Sequence, residues 1–291
     1  HSNIHFSFGF GIYLDDAANW MTITNNIVDH LQLGGAGKLW FPIFSKGVDN
    51  IFRNNIVTAN NAARASFGSQ EMAGEPNRRL AISQNVFAEN GAGLHGFIAW
   101  TDDRYASCDE NLYFESGGEY TIDNHPEIDT FEEWLLYENR RFDTRSIVAD
   151  PQLVDPGRGD YRFAPDSPAL AMGIRDVDQY AIGLTEEFPF APEDPSPARI
   201  FLLLPGGAAS VSLRRGSVLV PDVRARTAAG YPVAVEGADL DIETEDASVA
   251  EVEATDSGPS IRAVGHGTVE LTVGLRGSTA VPRVRFWVRV V

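Results

Sequence analysis

Short apolar runs alternate with Asn, Asp and Gly over roughly the first 116 residues, and the alternation recurs. Gly11-Ile-Tyr-Leu-Asp-Asp-Ala-Ala-Asn-Trp-Met-Thr-Ile-Thr-Asn-Asn-Ile-Val28 reads as strand, turn, strand, turn. Its Asn-Asn-Ile returns as Asn54-Asn55-Ile56, as Gln84-Asn85-Val86 and as Glu110-Asn111-Leu112. The Asn before the apolar residue falls at 26, 55, 85 and 111, at spacings of 29, 30 and 26. Short β-branched or aromatic segments repeating at that interval predict a solenoid wound from strands, a parallel β-helix. Each coil stacks on the next, and none buries its apolar face alone. Asn tolerates the left-handed conformation of a tight corner. Identical corners in successive coils would pile their amides into a hydrogen-bonded ladder.

The coils are expected at 1–28 (with Ile4–Phe8, Gly11–Asp15 and Met21–Thr24), 39–57, 62–87, and from Gly96–Trp100 through a turn at Asp102-Asp103 to Asn111. The third carries an insertion, Ser69–Asn77, with the composition of a surface loop. Beyond about residue 116 the repeat stops. Thr130–Tyr137 predicts a short helix, with Thr130 and Glu133 as a capping box and Phe131, Trp134 and Leu135 on one face. Ser146–Pro156 reads as a strand bounded by two Asp-Pro breaks, and Gly159–Gly173 as a strand and a turn that cap the open end. Residues 189–197 hold four prolines and read as an extended linker. Residues 198–291 hold about seven short strands separated by turn signals, the pattern of an Ig-like β-sandwich. The expected chain is therefore all-β: 1–188 parallel β-helix with its cap, 189–197 linker, 198–291 sandwich.

Charge changes the picture of partners. The formal net charge is −18, which argues against nucleic acid and anionic membranes. Residues 1–197 carry 13 basic and 30 acidic side chains, while 198–291 carry 10 and 11, so the acidity belongs to the solenoid. The single cysteine, Cys108, excludes an intramolecular disulfide. No run is long and apolar enough to span a bilayer. The chain opens at His1 in the middle of the repeat, which suggests a piece of a longer protein whose missing part carries further coils and the targeting signal.

Two resemblances follow from these residues. Gly11-Ile-Tyr-Leu-Asp-Asp, the Asn-Asn-Ile repeats and the closing Val148-Ala-Asp-Pro-Gln-Leu-Val-Asp-Pro…Gly-Asp-Tyr-Arg-Phe-Ala-Pro-Asp-Ser-Pro-Ala resemble right-handed β-helix proteins of the pectate-lyase-like superfamily. More narrowly, they are similar to the C-terminal half of bacterial β-helix proteins related to glycoside hydrolases. Asp246-Ala-Ser-Val-Ala-Glu-Val and Ile261-Arg-Ala-Val-Gly-His-Gly-Thr-Val-Glu-Leu-Thr-Val resemble bacterial Ig-like group 2 domains. The first resemblance, over about 1–185, implies a polysaccharide or oligosaccharide substrate, export to the periplasm, cell surface or medium, and a groove along the solenoid. Where relatives often carry a His-rich stretch, this chain reads Trp40-Phe-Pro-Ile-Phe-Ser-Lys. Fold alone does not fix function.

Glycoside hydrolysis usually needs two facing carboxyls. Alternation puts Ile12 and Leu14 inward and Tyr13 and Asp15 outward. Counting eleven residues back from the ladder Asn places Asp15, Phe44 and Trp100 in one column: a carboxylate beside aromatic platforms, or a core stack if the rings turn inward. Asp15 is the first catalytic candidate. Position in the resembling family implies Glu71, in the long loop, as the second; the residue itself reads as a solvated loop Glu. Asp16 reads as a turn residue or a sugar ligand; His30 and His95 as acid, base or sugar-binding groups or as bystanders. Asp102, Asp103 and His266 read as turn residues. No His/Cys/Asp spacing suggests zinc. No cofactor is expected, with calcium the one ion that clustered turn carboxylates would admit. The function expected is hydrolysis of a neutral or weakly charged glycan. Its alternatives are a non-catalytic glycan-binding or adhesive module, a polysaccharide lyase, or a structural part completed by a missing N-terminal segment or another chain.

Overall fold

The computed structural model describes all residues except 1–2, 5–8, 32–39, 72–73, 75, 119, 186, 190–192 and 205–207. Most of the expected strand Ile4–Phe8, part of the insertion Ser69–Asn77 and the middle of the linker 189–197 lie outside the described residues. The described chain is nearly all β, and its first part is a parallel β-solenoid of about four turns. Each coil contributes one strand to each of three parallel sheets. Phe10–Leu14, Phe41–Ser45, Ala65–Gln70, Gly93–Ile98 and Ile122–Asp123 form the first. Thr22–Thr24, Ile51–Arg53, Leu80–Ser83 and Tyr105–Asp109 form the second. Asn3–Ile4, Ile27–Asp29, Ile56–Thr58, Val86–Ala88, Leu112–Phe114 and Ile147–Val148 form the third.

The corner between the second and third sheets holds the expected ladder. Asn26, Asn55, Asn85 and Asn111 are linked Nδ2 to Oδ1 at 2.9, 2.9 and 3.1 Å. Each Oδ1 of the last three also accepts the backbone N–H of the Asn one coil below. The left-handed residue, however, is the one before: Asn25, Asn54, Gln84 and Glu110 have φ of 53–59°. The division of labour is physical. The preceding residue turns the chain, so the ladder Asn keeps its backbone N–H and its amide aligned with the next coil. A second ladder lies at the corner after the third sheet. Asn60 donates to Asn90 at 2.8 Å, and Glu115 closes the column by accepting the Asn90 N–H at 2.7 Å. It too follows left-handed residues, His30, Ala59 and Glu89.

Ile43, Phe52, Phe67, Ile82, Phe97 and Tyr105 are among the buried residues of the solenoid core. The helix Phe131–Leu136 lays Phe131 and Trp134 onto that core, and its Thr130/Glu133 capping box is formed as expected. Two compact units emerge: 1–152 with 167–177, and 153–166 with 178–291. The hairpin Leu153–Asp155 and Asp160–Phe163 clusters with the second unit, whereas 167–173 of the expected cap and the strand Ile147–Val148 before it belong to the solenoid unit. There Asn54 holds Arg175 by two hydrogen bonds. In the second unit, Ser210–Leu213, Val284–Val290, Gly267–Leu275 and Leu240–Thr244 form a sheet that is antiparallel except for its first pair. Two smaller antiparallel sheets accompany it around a core that includes Leu202, Ile261, Leu271 and Phe286. These antiparallel sheets are compatible with an Ig-like sandwich.

Candidate functional site

The C-terminal edge of the first sheet gathers charged side chains. As alternation predicts, Ile12 and Leu14 pack on the core while the Tyr13 ring is 43% exposed. The Tyr13 hydroxyl donates to Asp15 Oδ1 at 2.9 Å. Lys46 reaches Asp15 at 3.0 Å and Asp16 at 3.2 Å, and its ammonium lies 5.4 Å from the Tyr13 ring centroid. Lys46 holds the Asp15 carboxyl below its usual range, helped by the Asp16 backbone N–H and the Tyr13 hydroxyl. The ammonium is in turn raised, by the Tyr13 hydroxyl first and then by the two carboxylates, against the opposing effect of burial. Farther along the same edge, Glu71 accepts from Arg78 at 3.0 Å and from Thr101 at 3.3 Å. Buried Arg104 stands 3.9 Å away, itself tied to Ser69.

The column counted from the ladder is not the one the chain builds. Strand register sets Tyr13 beside Phe44 and then Gly68 and Gly96. Lys46 is the neighbour of Asp15, because Leu14 pairs with Ser45. The count fails because the path from this edge to the ladder Asn varies: 11 residues from Asp15, 9 from Lys46, 15 from Gln70 and 13 from Ile98. Phe44 is buried in a pile with Phe41 and Phe10. Trp100 packs among Phe97, His125 and Trp134 rather than standing free. His30 occupies a left-handed corner after the third sheet, its Nδ1 2.8 Å from Asp29. His95 is wholly buried. Of the sequence candidates, Tyr13, Asp15 and Asp16 come together, with Glu71 two coils on. Lys46 organises them, and its spacing of 9 residues from the ladder Asn, against 11 for Asp15, gives no sequence signal of that role.

A second candidate place is a cleft of about 560 Å³ lined by Arg64, Glu89, Gly91, Glu115, Ser116 and Thr121 among others. Burial pushes the Glu115 carboxyl up, with Glu89 adding to the shift, although two backbone N–H groups oppose it. Among the described carboxyls with a resolved shift, this is the one moved upward. A signal existed in the sequence: an acid at the ladder position 25 residues after Asn90. The second ladder hides it, because Asn60 and Asn90 are followed by Asn61 and Gly91 and lack the apolar residue that marks the first.

No family model and no curated protein matches the chain. Two solved chains match. One is similar at 15% identity and a TM-score of 0.25 over 32% of this chain, described as "Crystal structure of the S-layer protein SbsC domains 4 and 5". The chain spans half the length of that S-layer structure.

Proposed function

We propose that the solenoid is a glycan-binding module of an exported carbohydrate-active protein, with Tyr13 as the platform on which a sugar ring stacks. This reading includes the pectate-lyase-like kinship of the solenoid and the group 2 Ig-like kinship of the tail. The observation that carries it is the half-exposed Tyr13 ring flanked by the ion-paired Asp15, Asp16 and Lys46. A sugar offers C–H faces to an aromatic ring and hydroxyl groups to fixed acceptors and donors. Neither Asp15 nor Lys46 is tuned for proton transfer: a general acid needs a raised carboxyl and an amine base a lowered ammonium, and both are displaced the other way. A neutral or weakly charged glycan fits an acidic solenoid better than a polyuronate.

The test is a glycan array followed by calorimetry on the strongest hit. Tyr13→Ala should weaken binding at least tenfold with the fold intact; equal affinity in wild type and variant would remove Tyr13 from the role. Hydrolysis is a second reading, favoured by the raised Glu115 beside Glu89 in the cleft. It requires turnover of the bound glycan that Glu115→Gln abolishes and Asp15→Asn leaves in place.

A further inference from the structure

Where the fourth coil meets the helix, four polar side chains from separate stretches converge inside the apolar core. They are His95 on the first sheet, Cys108 on the second, Tyr113 on the third, and Asp143 after the helix. The side chains of His95 and Asp143 are fully buried, as are Tyr113 and, at 1% exposure, Cys108. His95 Nε2 lies 3.8 Å from Cys108 Sγ, 3.7 Å from Asp143 Oδ2 and 3.0 Å from the Tyr113 hydroxyl. Cys108 Sγ lies 3.2 Å from Asp143 Oδ2 and 3.9 Å from that hydroxyl. These are five of the six edges that a tetrahedron of four ligand atoms would have. Edges of about 3.5 Å put the centre about 2.1 Å from each corner, the bond length of zinc to nitrogen and oxygen and slightly under that to sulfur.

We propose that His95, Cys108, Asp143 and Tyr113 form a structural site for a zinc-like divalent ion that closes the end of the solenoid. The donor set suits a tetrahedral d¹⁰ cation. Charge balances: the thiol releases its proton to solvent as the metal–sulfur bond forms, and thiolate plus carboxylate neutralise the dication. His95 contributes the neutral Nε2 lone pair, because Nδ1 faces the Tyr105 hydroxyl at 3.2 Å and donates its proton there. Tyr113 keeps its proton, donates it to Asp143 Oδ1 at 2.9 Å, and presents a lone pair as the fourth, neutral ligand.

An outer layer of donors holds these groups in place. Trp134 Nε1 donates to Asp143 Oδ2 at 2.8 Å and Ser146 to Oδ1 at 2.5 Å. Asp143 itself sits at φ 51°, a left-handed backbone that aims its carboxylate inward. The same burial excludes the other chemistry that Cys, His and Asp suggest. A thiol at 1% exposure, pushed well up by desolvation and by the neighbouring Asp143 carboxylate, is no nucleophile.

The experiment is to unfold the full chain with chelator, refold it with excess zinc or cobalt, desalt it, and measure metal by atomic emission. One ion per chain is expected. The cobalt form should show a thiolate-to-metal charge-transfer band and tetrahedral d–d bands, and zinc should raise the melting temperature. The cobalt spectrum identifies the sulfur ligand on the unmutated chain, so the result does not hinge on a variant's folding. Less than a tenth of an equivalent after refolding in zinc, with an unchanged melt, would overturn the site. So would a cobalt complex without the thiolate band, or a full equivalent retained by Cys108→Ser.

Discussion

At the scale of single residues, the ladder asparagines carry more than their size suggests. Asn55 accepts from Asn26 twice and donates to Asn85 and to the Ile23 carbonyl, all in or near the buried interior. Asn55→Ala leaves several of those partners unsatisfied, and we expect a loss of about 3 kcal/mol in denaturant unfolding. The opposite sign is expected one position before a ladder residue. Ala59 holds φ 53°, a conformation that costs an L-residue on the order of 1–2 kcal/mol. Ala59→Gly relieves it at a smaller entropic cost, so the variant should gain about 0.5–1 kcal/mol in the same assay. His125 gives a pH prediction. It packs among Phe97, Trp100, Trp134 and Tyr137, and burial lowers its pKa against the weaker opposing effect of Asp102. The fold therefore keeps it neutral while the unfolded chain takes up a proton. That contribution to stability is present above the ordinary histidine pKa of about 6.5 and is lost as pH falls toward the folded value. Urea midpoints measured across this window should drop toward acid, and less so in His125→Gln.

At the scale of elements, close approach matters as much as propensity. The Phe41 ring lies over Gly68 and Gly96 of the next two strands of the first sheet, and a Cβ at Gly68 would run into that ring. Gly68→Ala should cost about 2–3 kcal/mol by thermal melting, since the ring is fully buried and cannot swing aside freely. The helix Phe131–Leu136 is too short to persist alone and depends on its cap and its packed face. Thr130 and Glu133 were legible as a capping box because both halves lie within four residues. The ladder was legible for a similar reason: one identity repeats at one interval. The edge holding Asp15 was not, because loops of unequal length separate it from the ladder in each coil.

At the scale of the whole molecule, the charge is partitioned. The solenoid and linker stretch carries nearly all of the net −18, and the C-terminal stretch is close to neutral. A neutral glycan held by stacking on Tyr13 should bind with little salt dependence, because no counterions are released. An affinity that collapses between low and high ionic strength would instead point to an anionic or cationic ligand.

Fold class was written in the chain itself, because strand period, corner residues and capping signals are local or strictly repeated. Asn26, Asn55, Asn85 and Asn111 could be aligned without coordinates, and so could Thr130 with Glu133. Register, and with it every side-chain neighbourhood across coils, was decided only by the tertiary structure. Lys46 beside Asp15, Glu115 as the end of a ladder, and His95, Cys108, Tyr113 and Asp143 at one point all arise from stacking. Packing sums insertions and corner lengths that no single spacing records, so chemistry distant in sequence becomes adjacent only once the coils are wound.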